Sequence, residues 1–116
     1  MELSRTTMIP LTIREIQLAH YMIKSHEMHT TGKKPPGHAS LASKIVGAHL
    51  GHRLGGVSRV IVHYTDAEKQ LLRQYNQEYC ELLAKALPMA DESDQAEIVT
   101  RYAIATNIQM LFSPRR

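Results

Sequence analysis

His26 and His29, and again His49 and His52, stand three residues apart in the chain, a spacing that brings two side chains to one face of a helix. Four imidazoles are enough to hold a tetrahedral zinc ion if neighbouring groups orient them. Nothing in the sequence draws the two pairs together, so no metal or other cofactor is expected and these histidines stand only as an alternative ligand set. A second set of polar groups, Arg53, Ser58 and Arg59, falls within GAHLGHRLGGVSRV, residues 47–60. The planar fork of arginine donates to two acceptors at once, which suits a guanine edge, and serine donates to a phosphate or a base. These three residues are the candidate base contacts. Lys33, Lys34, Lys44 and His52 are placed to meet phosphates along a nucleic-acid backbone.

The same stretch does not serve other chemistry. Its glycines, at 47, 51, 55 and 56, do not follow the pattern of a nucleotide-binding loop, and no Lys-Ser/Thr pair closes them. Acid–base or nucleophilic catalysis needs groups that converge, and the acidic residues fall mostly on the solvent sides of amphipathic segments. Cys80, beside Tyr79 and Leu82 in an apolar pattern, reads as a small core residue and not a nucleophile. The chain is not expected to be an enzyme.

Charge separates along the chain. Residues 1–64 carry eight Lys or Arg against Glu2, Glu15 and Glu27, a net of +5, and hold all seven histidines. Residues 65–116 carry six basic and eight acidic groups, a net of −2. A basic half is what an anionic partner would meet. The 116 residues make one domain with a modest core. No apolar run approaches the roughly 20 residues that cross a bilayer. The opening MELSRTTMIPL lacks the apolar centre of a secretion signal and the single cysteine has no disulfide partner in the chain, so the expected setting is the reduced cytoplasm.

The elements that must carry these groups are mostly helical. TIRE at Thr12–Glu15 and TDAE at Thr65–Glu68 both have the form of a capping box. They predict one helix to about His29 and another, about six turns long, to Pro88. Ile13, Ile16, Ala19, His20 and Ile23 share a face of the first. Between them TTGKKPPG cannot continue a helix, and Ser40 then caps a short helix with Leu41, Ala42, Ile45, Val46 and Leu50 on one side. Asp91–Asp94 offer caps for a last helix, striped by Ile98, Val99, Tyr102, Ala105, Ile108 and Leu111 up to Pro114. No internal repeat is apparent.

Within this frame Val46 and Leu50 are apolar anchors, Gly47 falls where two helices would cross, Gly51 at a turn, and Val57 and Val60 on the inward side of a second helix. Residues 43–62 in this way resemble the helix-turn-helix of DNA-binding regulators, and VSRV (Val57–Val60) is similar to the recognition helix of lac-repressor-type proteins. The resemblance covers a module and no particular family. It implies that the second helix lies in the major groove. The β-branched VSRVIVHYT equally supports a strand over 57–64. No second strand is evident, so that strand would pair with a partner subunit, as in β-ribbon DNA readers.

The expectation is therefore a mainly α, single-domain, sequence-specific regulator of transcription that binds double-stranded DNA as a homodimer. Its basic half would face nucleic acid. Its helical half, with Leu71, Leu72, Leu82, Leu83, Ile98, Ile108, Leu111 and Phe112, would form the dimer, because a short chain has little core in which to hide them. A protein-interaction module, such as a small inhibitor or adaptor, and a basic antitermination or RNA-binding factor are the alternatives the same charges permit.

Overall fold

A computed structural model describes residues 6–56 and 58–113. The fold is mainly α. Strand β1 (Thr6–Thr12) leads into helix α1 (Ile13–His29) and helix α2 (His38–Gly55). Strand β2 (Arg59–Thr65) leads into helix α3 (Asp66–Ala86), a 3₁₀ turn (Leu87–Met89) and helix α4 (Glu92–Phe112). Strand, helix, helix thus occurs twice, although the sequence shows no matching repeat. The two strands pair antiparallel in one ribbon, with Ile9 opposite Val62 at its centre and Thr6 opposite Thr65 and Thr12 opposite Arg59 at its ends.

Both capping boxes form as their spacing requires. Thr12 Oγ1 accepts the Glu15 amide at 3.3 Å while the Thr12 amide donates to Glu15 Oε1 at 2.9 Å. Thr65 and Glu68 make the same exchange at 3.1 and 2.7 Å. Each box therefore marks a point where a strand of the ribbon turns directly into a helix. Asp91 caps α4. The cap of α2 is Gly37, in the left-handed region, and not Ser40.

Residues 59–65 are a strand, and the recognition helix expected there is not formed. α2 runs through Gly51, which has no positive φ, and ends only where Gly56 turns left-handed and donates its amide to the His52 carbonyl. Nor is Gly47 a crossing point, because a Cβ built on it, as on Gly51, meets nothing within 4 Å. Val57 lies outside the described residues. The strand's partner is residues 6–12 of the same chain, so the ribbon needs no second subunit. Pro10 is accommodated because both members of a two-stranded ribbon are edge strands. Since Gly51 sits in a helix with open space around it, Gly51→Ala should stabilise the chain by about 0.5–1 kcal/mol. Urea unfolding measures this, and a loss of stability would place a turn at Gly51 after all.

The ribbon's inner face, with Ile9, Leu11 and Tyr64 fully covered, lies on the helices. Ile16, Ala19 and Ile23 of α1, Leu41 and Ile45 of α2, Leu71, Leu72 and Tyr75 of α3 and Ala105, Ile108 and Phe112 of α4 complete one core. Tyr64 and Phe112 meet edge to face at 5.0 Å. Leu83 and Ile108, expected at a dimer surface, are buried inside the single chain. The basic and acidic halves of the sequence pack on one another, α1 on α3 and α4 and α2 on α3. No helix among the described residues is long and apolar enough to cross a membrane.

Candidate nucleic-acid interface

Side chains alternate across a strand, so covering Ile9, Leu11 and Tyr64 turns the intervening positions outward. The outer face is built from the cross-strand pairs Met8 with His63 and Pro10 with Ile61, flanked by Thr6 with Thr65 and Thr12 with Arg59. Met8 is 63% and Ile61 61% exposed. Thr6 Oγ1 lies 3.4 Å from His63 Nδ1. The face therefore has an apolar centre and a polar or cationic group towards each end.

Each end of the ribbon is fixed by a buried glutamate. Glu68, besides its capping role, accepts Ser40 Oγ at 2.7 Å and Lys44 Nζ at 2.7 Å from α2. Glu15, also buried, accepts the side-chain amide of Asn107 from α4. Each strand–helix junction is thus held by the second helix of the other half. Burial pushes the Glu68 carboxyl up, but hydrogen bonds from Lys44, Ser40 and the Thr65 amide outweigh it and hold the group below the usual carboxylate range.

The expected contact residues divide between this face and other places. Arg59 is exposed on the outer face, and Ser58, also exposed, immediately precedes it. Arg53 and His52 lie in the last turn of α2 and border a hollow with Ile13 and Gln17, beside the Thr12–Arg59 end of the ribbon. Arg14, in the first turn of α1 and exposed, adds a cation at that end. Lys44 is committed to Glu68 and has little freedom to meet a phosphate. Lys33 and Lys34 lie in the loop after α1, whose 17 residues span about 25 Å. That loop leads into the start of α2, which Ser40 and Lys44 tie to the Thr65 end. Thr30 lies beside Glu81 and Lys85, and His38 bonds Tyr75 well down α3, so the lysines stand away from Arg53 and Arg59 and are remote from both ends of the ribbon.

The paired histidines do not come together as one cluster. His26 is buried, stacks on Tyr75 with ring centroids 4.2 Å apart and donates from Nδ1 to Glu78 at 3.0 Å. His29 donates from Nδ1 to the Ser25 carbonyl at 2.8 Å. His49 and His52 are on α2 near Gln17. Among the described residues, no group of three or more His, Cys, Asp or Glu is arranged to hold a metal ion.

Sequence reasoning missed Thr6, Met8, Pro10, Ile61 and His63. The available signal was the identical ending of both strands: a Thr that closes a β-prone run and opens a capping box, at Thr12 and again 53 positions later at Thr65. Comparison with protein-family models, with characterised proteins and with solved structures finds no match to this chain.

Proposed function

We propose that the chain binds double-stranded DNA in a sequence-specific, regulatory role, with the outer face of its β-ribbon entering the major groove. The observation that carries this reading is the ribbon itself: two antiparallel strands, covered by helices on one side and open on the other, with Arg59 and His63 on the open side. The major groove, about 12 Å wide, admits a two-stranded ribbon, and such ribbons read base edges in known DNA-binding proteins. Arg59 is suited to a guanine edge, and the apolar centre made by Met8, Pro10 and Ile61 to thymine methyl groups. Arg14 and Arg53 near one end supply sequence-independent attraction to phosphates. One copy presents a whole ribbon, so binding does not depend on a second.

The apolar centre also favours a second reading, in which the same face docks on another protein. Salt dependence separates the two. Selection from a random duplex pool, followed by anisotropy titrations across a salt series, should give a preferred site and a steep loss of affinity with salt. Arg59→Ala should cost about 1–3 kcal/mol on that site and little on a scrambled duplex. Joint replacement of Arg14 and Arg53 by Ala should weaken binding to both duplexes alike and flatten the salt slope. Failure to enrich any sequence, with weak binding insensitive to salt, would leave the protein-docking reading.

A further inference from the structure

A half-open hollow lies among the described residues where α2 and α4 both pack on α1. Its volume is about 840 Å³, within the range of small-molecule sites. Each helix turns one face to it: α1 through Arg14, Leu18 and Tyr21, α2 through Val46, His49 and Leu50, and α4 through Glu97, Arg101 and Ile104. In α1 and α4 these positions repeat at three- or four-residue intervals, and in α2 His49 and Leu50 lie three and four residues beyond Val46, so the groove is a junction of three helix faces. Val46 is 44% and Leu50 50% exposed although both continue the apolar pattern of α2. The core stops short of covering them.

The charges around this apolar wall are unequal. Glu97 is the only carboxylate in the lining and is held by Arg101 Nε at 2.9 Å. Arg101 also donates to the Tyr79 hydroxyl at 3.0 Å and lies 4.9 Å above the Tyr21 ring, so it forms a fixed part of the wall. Arg14, His20 and His49 line the groove with no side-chain hydrogen bond or ion pair to any described residue. A pocket with an apolar wall, one neutralised carboxylate and an uncommitted guanidinium is complementary to a molecule with an apolar body and one acidic headgroup.

We propose that this groove binds an amphipathic organic anion, an aryl or alkyl carboxylate, with its hydrocarbon body on Leu18, Val46, Leu50 and Ile104 and its headgroup on Arg14. Arg14 of this site also stands near the proposed DNA-facing end of the ribbon, but the ligand is tested in the absence of DNA, so failure of this proposal and failure of the ribbon reading are distinguishable.

The test is calorimetric titration of the full chain with 2-naphthoate, repeated with neutral 2-naphthalenemethanol and with inorganic sulfate. Saturable one-to-one binding of naphthoate is expected, at least tenfold tighter than either control, because the alcohol lacks the charge and sulfate the apolar body. Arg14→Gln should weaken naphthoate at least tenfold while leaving the alcohol unchanged. Val46→Asp, a second exposed position, should weaken naphthoate similarly by placing a like charge in the groove. Circular dichroism of both variants should match the parent. Equal binding of naphthoate and the alcohol, unchanged affinity in Arg14→Gln with a native spectrum, or no binding by the parent chain would each overturn the proposal.

Discussion

Replacement of Tyr75 by Ala is expected to lower the free energy of unfolding by about 3–5 kcal/mol, as for other large aromatic residues removed from a core. The ring is buried, stacked on His26 and set edge-on to His38 at 5.7 Å. Its hydroxyl is 2.7 Å from His38 Nδ1, and His38 Nε2 is 2.7 Å from Glu27 Oε2. Since Glu27 can only accept, His38 donates from Nε2, and in the neutral imidazole its Nδ1 accepts from the phenol. The truncation therefore opens a cavity between α1, α2 and α3 and leaves a buried imidazole nitrogen without its partner. Tyr75→Phe separates these effects: it keeps the ring and should cost about 1–3 kcal/mol for the orphaned acceptor. Burial, with the nearby carboxylates of Glu78 and Glu27, pushes the phenol up to about 12, so it remains a donor throughout the neutral range. Equilibrium urea unfolding of the three proteins measures both differences. A loss below about 1 kcal/mol for Tyr75→Ala would show that the three helices do not meet as described.

Glu68→Ala is the second large effect, about 3 kcal/mol. It removes a buried carboxylate that accepts from Ser40, Lys44 and the Thr65 amide. Losing the reciprocal half of a cap costs about 1 kcal/mol, and hydrogen bonds to a charged group about 1.5–3 kcal/mol. Lys44 is about one-third exposed, so water screens its share and the combined figure stays below that of a fully buried pair. The pH dependence follows from the direction of the shift. Folded Glu68 has a pKa below its ordinary value, so the unfolded chain binds the proton more readily. Its contribution is fully present above about pH 4.3, the ordinary glutamate value, and is lost as pH falls through the lower folded value. Glu27 is likewise lowered, chiefly by its hydrogen bond to His38 against the opposing effect of burial, and adds in the same window. Stability of the parent chain should therefore fall with acid below about pH 4.5. That of Glu68→Ala should start lower and fall less steeply. Parallel acid limbs in the two proteins would show that Glu68 is not tied as described.

The helices were legible because their signals are local. Thr12 with Glu15, and Thr65 with Glu68, place two N-termini to the residue, and Pro88 and Asp91 mark the end of α3 and the start of α4, whereas the start of α2 was misplaced at Ser40. The apolar face of α2 was misplaced by part of a turn: Leu41 and Ile45 are buried as expected, but Ala48 takes the inward place assigned to Val46 and Leu50. Glycines mislead in a single sequence, because Gly51 can either turn the chain or simply weaken a helix, and only its φ decides. The strand over 59–65 was visible in its β-branched residues, yet its partner was not. Thr6–Thr12 is short and contains Pro10, and antiparallel pairing across some fifty residues leaves no local trace beyond the repeated terminal Thr. The candidate site consequently kept Arg59 from the sequence reading, and gained its opposite strand only from the tertiary structure.

The most direct test of DNA recognition by the ribbon is amide chemical-shift mapping of the labelled 13.1 kDa chain during titration with its selected duplex. The largest perturbations are expected at Thr6, Met8, Arg59, Ile61 and His63, with smaller ones near Arg14 and Arg53. The acidic start of α4 should be unaffected. Perturbations confined to the helices, with the ribbon amides unmoved at saturating duplex, would contradict it.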